Sequence, residues 1–135
     1  MDISLQQAQT LISQAIEQAK VEFKRPICVT VCDKYGFLIT FGRMDGAPIR
    51  CIEISQGKAY TAARMGVNTD AFLERLYRDN VPASYFCDVQ LTGLPGGSVL
   101  KDIQGNLIGA AGVSGLKPEE DQAIANKMAT LISDL

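Results

Sequence analysis

The residues that could carry chemistry in this chain are few and scattered. Histidine is absent from all 135 positions. With it go the usual general base, the usual zinc ligand and the usual haem axial ligand. Lys58 could act as a Schiff-base or general-base lysine, but only if burial lowered its pKa. Buried lysines are rare, so a surface or interface position is the expectation. Gln56 and Tyr60 lie four residues apart on a helical segment and share a face. Lys58 points elsewhere, so the three form one cluster only if a neighbouring subunit contributes. Arg43, followed by Met44 and Asp45, comes just after a strand and could clamp a carboxylate or phosphate. The expected reading there is a solvated loop with a turn at Asp45-Gly46.

A second set lies in an irregular stretch over 79–97. Gly93, Gly96 and Gly97 of Leu91-Thr-Gly-Leu-Pro-Gly-Gly97 could turn backbone N–H groups toward an anion such as a carboxylate or propionate. The same glycines could simply make a tight turn into a strand, and both readings stand. Tyr85 and Phe86 could stack on a flat ring, though packing of the loop onto the core is favoured. Long irregular segments inside compact domains are often functional. Glu119, Glu120 and Asp121 suggest a metal site on paper, but at a helix start they complement the helix dipole.

The four cysteines, Cys28, Cys32, Cys51 and Cys87, include no Cys-x-x-Cys pair. Cys28 and Cys32 would share one face of a strand about 13 Å apart, too far for a disulfide or a common metal ion. Reduced, mostly buried thiols are expected, with Cys51 or Cys87 as a thiolate ligand the alternative.

The bulk properties set limits. Apolar residues make up 47% of the chain, enough for a core, and the net charge is −2, so disorder is not expected. No basic tract points to nucleic acid, and no apolar run approaches the roughly 20 residues that span a bilayer. The start Met1-Asp-Ile-Ser4 lacks the pattern of a signal peptide. A cytoplasmic, single-domain protein over 1–135 is the expectation.

The elements that must position these residues follow from periodicity. A long amphipathic helix is predicted over about 3–24, with Ser4 as N-cap and Pro26 as terminator. A hairpin follows, Ile27–Cys32 and Phe37–Phe41 around Asp33-Lys-Tyr-Gly36. A helix over about 49–66 closes on Gly66, and Thr69 caps a shorter one over about 70–78. A second hairpin, 98–101 and 107–113, turns at Asp102-Ile-Gln-Gly105. A last helix opens at Pro118. The two turns share the pattern Asp-x-x-Gly-x-Leu-Ile, an Asx start with a left-handed glycine. Together these predict an α/β (α+β) profilin-like α/β/α sandwich around an antiparallel sheet of two hairpins.

Several segments resemble one family as a set: Arg43-Met-Asp-Gly-Ala47, Gln56-Gly-Lys-Ala-Tyr-Thr-Ala-Ala63, Leu94-Pro-Gly-Gly97, Ile108-Gly-Ala-Ala-Gly-Val-Ser-Gly115 and Pro118-Glu-Glu-Asp121. In order and spacing they are similar to the family of GlcG, HbpS-type haem-binding proteins and the C-terminal domain of PduO-type adenosyltransferases, over about residues 4–132. The resemblance implies a homo-oligomer, tetramer or octamer, and in some members a haem or related tetrapyrrole such as a corrinoid. Without histidine, a Cys, Met or Tyr would have to take the axial position. Where many relatives have a proline in the glycine loop, this chain has Val99. The resemblance also includes stand-alone members associated with glycerol and diol breakdown. Two functional expectations follow: a binding module for haem, a corrinoid or another anionic small molecule, and a non-catalytic accessory partner of a pathway enzyme. The candidate ligand-contacting residues are Arg43, Met44, Gln56, Tyr60, Tyr85, Gly93, Gly96 and Gly97, with no catalytic residue and no metal site assigned.

Overall fold

The computed structural model describes residues 2–135. Helix α1 (Leu5–Gln18) begins where expected: Ser4 Oγ accepts the Gln7 N–H, and Gln7 Oε1 accepts the Ser4 N–H in return. Its end differs from the expectation. The last turn widens into a π-turn over Ala19–Phe23, and Lys24 stops it in the left-handed region, at φ 56°, with its N–H on the Ala19 carbonyl. The helix is therefore closed before Pro26 acts.

Strands β1 (Cys28–Asp33) and β2 (Leu38–Arg43) form the first hairpin, β3 (Gly97–Lys101) and β4 (Leu107–Ser114) the second. Both turns use the same bonds. Asp33 Oδ1 accepts the N–H groups of Tyr35 and Phe37, and Asp102 Oδ1 those of Gln104 and Asn106. The hairpins join through β1 and β4 into one antiparallel sheet in the order β2-β1-β4-β3.

Alternation along β1 assigns the two faces of the sheet. Val29 and Val31, with Ala111 and Val113 of β4, face α1 and helix α4 (Pro118–Leu131), where Leu11, Ile124 and Met128 complete the larger core. Cys28, Thr30 and Cys32 face helix α2 (Arg50–Met65), which covers them with Cys51, Ser55, Ala59 and Ala62. This layer is thin because its residues are small. A methyl at Gly112 would meet the Ser55 carbonyl and come within 2.6 Å of the Ala59 nitrogen. The small residues of β4 therefore serve close helix packing.

Asn68, not Thr69 as the sequence suggested, holds the N-cap position of helix α3 (Thr69–Asp79), without a side-chain capping bond, its Oδ1 accepting the Val99 N–H instead. Thr69 is fully buried, and its hydroxyl accepts the Gly97 N–H at 2.8 Å. Ile49 precedes α2 and is 73% exposed. The irregular stretch holds a short 3-10 turn, Ala83–Phe86. Phe86 packs edge-on against Phe72 there, at 5.5 Å.

Candidate functional site

A groove of about 650 Å³ opens between α2, the β1–β2 hairpin and the 89–92 segment. Its wall is one row of α2 at helical spacing, Glu53, Gln56, Gly57 and Tyr60, with Phe37 and Leu38 across from it. Thr30 and Cys32 of β1 form the floor. The hairpin turn sets the width: Gly36, at φ 96°, holds its backbone so near Tyr60 that a methyl would sit 2.8 Å from the ring.

Tyr60 is fixed from two sides. Its hydroxyl donates to Asp88 Oδ2 at 2.6 Å. That bond raises the phenol pKa and holds the Asp88 carboxyl below the usual carboxylate range. The Arg64 guanidinium lies 4.8 Å over the ring, an attractive cation–π contact, while its Nε donates to the Tyr35 carbonyl. On the far side, the 89–92 segment docks on α2. Thr61 Oγ1 donates to the Gly57 carbonyl and accepts the Thr92 N–H. The Cys32 thiol at the floor is pushed up to about 12, chiefly by burial, so it stays protonated and weakly nucleophilic.

Of the residues read from sequence, the groove brings together Gln56 and Tyr60. Arg43 is exposed at the end of β2 and does not line the groove. Met44 packs against the main core, and its Sδ accepts the Ile27 N–H. Tyr85 is 69% exposed outside the groove lining. Gly93 packs against Leu73 and Leu76 of α3. The anion-nest reading of the glycine loop is corrected. The Gly96 N–H goes to Gln122 Oε1 at 2.7 Å and the Gly97 N–H to Thr69, so both are spent within the fold.

The surface expectation for Lys58 is corrected as well. It is 3% exposed. Its ammonium donates to Asp121 Oδ2 at 3.0 Å and to the Val113 carbonyl at 2.8 Å. Asp121 is correspondingly buried, beyond its expected part in the helix dipole. Burial lowers the Lys58 pKa and raises that of Asp121 to about 6. The pair does not line the groove.

Sequence reasoning missed Glu53, Phe37, Leu38, Cys32 and Asp88. Glu53 alone had a visible signal, three and seven residues before Gln56 and Tyr60. Among the described residues no cluster of His, Cys, Asp or Glu is arranged to hold a metal ion, and no helix is long and apolar enough to cross a membrane.

Residues 3–130 match the family described as haem-degrading protein HbpS-like. The chain belongs to the HbpS-like family. A relative from Citrobacter freundii, an uncharacterised 15.0 kDa protein of the dhaT-dhaS intergenic region, is 30% identical over 92% of this chain and 88% of its own length. The crystal structure of Klebsiella pneumoniae protein ORFY superposes with a TM-score of 0.87 at 26% identity, covering 98% of this chain and 92% of that one. That of a PduOC:Heme complex gives 0.85 at 26%, over 96% and 94%. These structures share the α/β fold with its four-stranded antiparallel sheet.

The groove does not fit a haem held through its iron. Histidine is absent. Of the lining residues that could ligate iron, Cys32 is 1% exposed at the floor and the Tyr60 hydroxyl is already bonded to Asp88, so neither presents a free ligand atom to the groove. No lysine or arginine lines the groove to receive propionates.

Proposed function

We propose that the chain is a small-ligand-binding module whose ligand seats in the groove beside α2, with Gln56 and Tyr60 as contact residues. The observation that carries this reading is the locked Tyr60. A concave site with an aromatic wall, a few polar groups and a rigid frame is the usual form of a small-molecule site. Asp88, Arg64 and Gly36 all act to hold that wall in place. The PduOC complex supplies a tetrapyrrole precedent in a related chain. The lining here supports a flat, largely apolar ligand held by shape and hydrogen bonds, and offers haem or a corrinoid no iron or cobalt ligand.

The test is amide-shift mapping by NMR, with a panel of flat aromatic compounds of positive, zero and negative charge. Saturable shifts should converge on Gln56, Gly57, Tyr60 and Gln90. If no compound moves these amides at millimolar concentration, the reading fails.

A second reading, an oligomeric accessory protein, rests on the exposed apolar rim of the same groove. Tyr35, Phe37 and Leu38 are each more than half exposed, and Val89 is fully so. Apolar residues grouped in this way mark contact surfaces. Native mass spectrometry at micromolar concentration checks it, and a monomer would overturn it.

A further inference from the structure

The charges around the groove define a ligand class, and the inference rests on the binding reading above. Among the described residues, Glu53 is the only charged one in the lining. It lies on the exposed face of α2 and takes part in no salt bridge. Two charges outside the lining, of opposite sign, both engage Tyr60. Asp88 receives the phenol proton, and Arg64 lies over the ring and donates to the Tyr35 carbonyl. Lys34 is turned over the Tyr35 ring at 5.3 Å, on the hairpin turn. Among the described residues, the formal charge of the lining itself is therefore that of one carboxylate.

The remaining surface favours a cation as well. Phe37, 64% exposed at the edge of the groove, offers an aromatic ring, and such rings attract cations. Gln56 and Gln90 bring hydrogen-bonding groups without charge. An anion entering this site would meet Glu53 with no lysine or arginine in the lining to offset it.

We propose that the groove selects an organic cation, a protonated amine on a flat apolar body, over an anion of the same shape. Glu53 is the specificity-determining residue. The amine sits against its carboxylate while the apolar body lies along Leu38, Phe37 and Tyr60.

The test uses a matched pair of probes, 2-naphthylmethylamine and 2-naphthoate, titrated separately into the full chain and followed by amide shifts. The amine should bind about tenfold tighter than the carboxylate, the order expected for one partly screened charge counted once as attraction and once as repulsion. Glu53→Gln should bring the two within about twofold to threefold of each other, by weakening the amine and tightening the carboxylate. Glu53 is exposed, so this variant keeps the fold; Glu74→Gln, an exposed carboxylate on α3, should change nothing. Equal or tighter binding of 2-naphthoate, or selectivity that survives Glu53→Gln, overturns the charge inference and leaves the groove as a binding site. If neither probe moves the groove amides, both readings fall together.

Discussion

The Lys58 ammonium lies 3.0 Å from the Asp121 carboxylate, with both side chains about 4% exposed. The pair joins three elements. Lys58 comes from the middle of α2, its second hydrogen bond holds the Val113 carbonyl of β4, and Asp121 Oδ1 accepts the Leu116 N–H ahead of α4. Removing one partner leaves a buried charge alone, which costs about 3–5 kcal/mol. Lys58→Met and Asp121→Leu are each expected to lose that much in urea unfolding. The double variant is expected to return to within about 1 kcal/mol of the parent or above it, since apolar replacement of a whole buried pair is often neutral or stabilising. A double variant as unstable as the worse single one would show that the pair is a net source of stability.

The same pair sets a pH dependence with a definite sign. The Asp121 pKa is raised in the fold, chiefly by burial, to about 6. Its contribution to stability is therefore full below about pH 4 and is lost as pH rises through about 6. Lys58 is lowered from its ordinary value, so its effect falls on the alkaline side, where stability recovers as the unfolded lysine titrates. The stability of the double variant minus that of the parent should grow between pH 4 and 6.5. A flat difference across that window would contradict the assignment.

Two glycines beside the groove should respond in opposite directions to alanine. Gly36 adopts φ 96°, and an added methyl would lie 2.8 Å from the Tyr60 ring. Gly36→Ala should cost at least about 1–2 kcal/mol of backbone strain and shift the Tyr60 resonances. Gly57 is helical, and its methyl would find the Gln90 carbonyl at an ordinary 3.6 Å. Gly57→Ala should gain up to about 1 kcal/mol from helix propensity. Thermal unfolding of the two variants checks both signs.

Thr69→Val keeps the shape of a buried side chain and removes the acceptor of the Gly97 N–H. An orphaned buried donor costs about 1–3 kcal/mol. Hydrogen exchange at Gly97 should accelerate more than at the neighbouring strand residues. Unchanged exchange would mean that another acceptor takes over.

Haemin added in equimolar amount at pH 7 should show neither a thiolate-ligated nor a phenolate-ligated absorption spectrum, because Cys32 is buried at the floor and the Tyr60 hydroxyl is taken by Asp88. Cys32→Ala should leave the spectrum as it is. A ligated Soret band lost on that substitution would reverse the conclusion about the groove.

Local chemistry made much of this molecule legible in the sequence. Ser4 with Gln7, the Asp33 and Asp102 turns, Gly66 and Pro118 each act through neighbours within a few residues, so a short window contains the whole argument. The Glu53, Gln56 and Tyr60 row is legible in the same way, as a helical face. The β-rich composition of Ile27–Cys32 and the paired Asp-x-x-Gly turns likewise marked two hairpins, and with them the sheet between helical layers.

The tertiary structure alone decided what those faces meet. Lys58 and Asp121 are 63 residues apart, Tyr60 and Asp88 are 28 apart, and Thr69 and Gly97 are 28 apart. Four of these residues have a sound local role on paper: Lys58 at the surface, Asp121 in a first turn, Thr69 as a helix cap and Gly97 in a nest. Each is overruled because burying a charge or an N–H is costly without a partner, and packing brings that partner from a distant part of the chain. The sequence determined the elements and their faces. The fold determined which polar groups are spent on one another and which remain in the groove for a ligand.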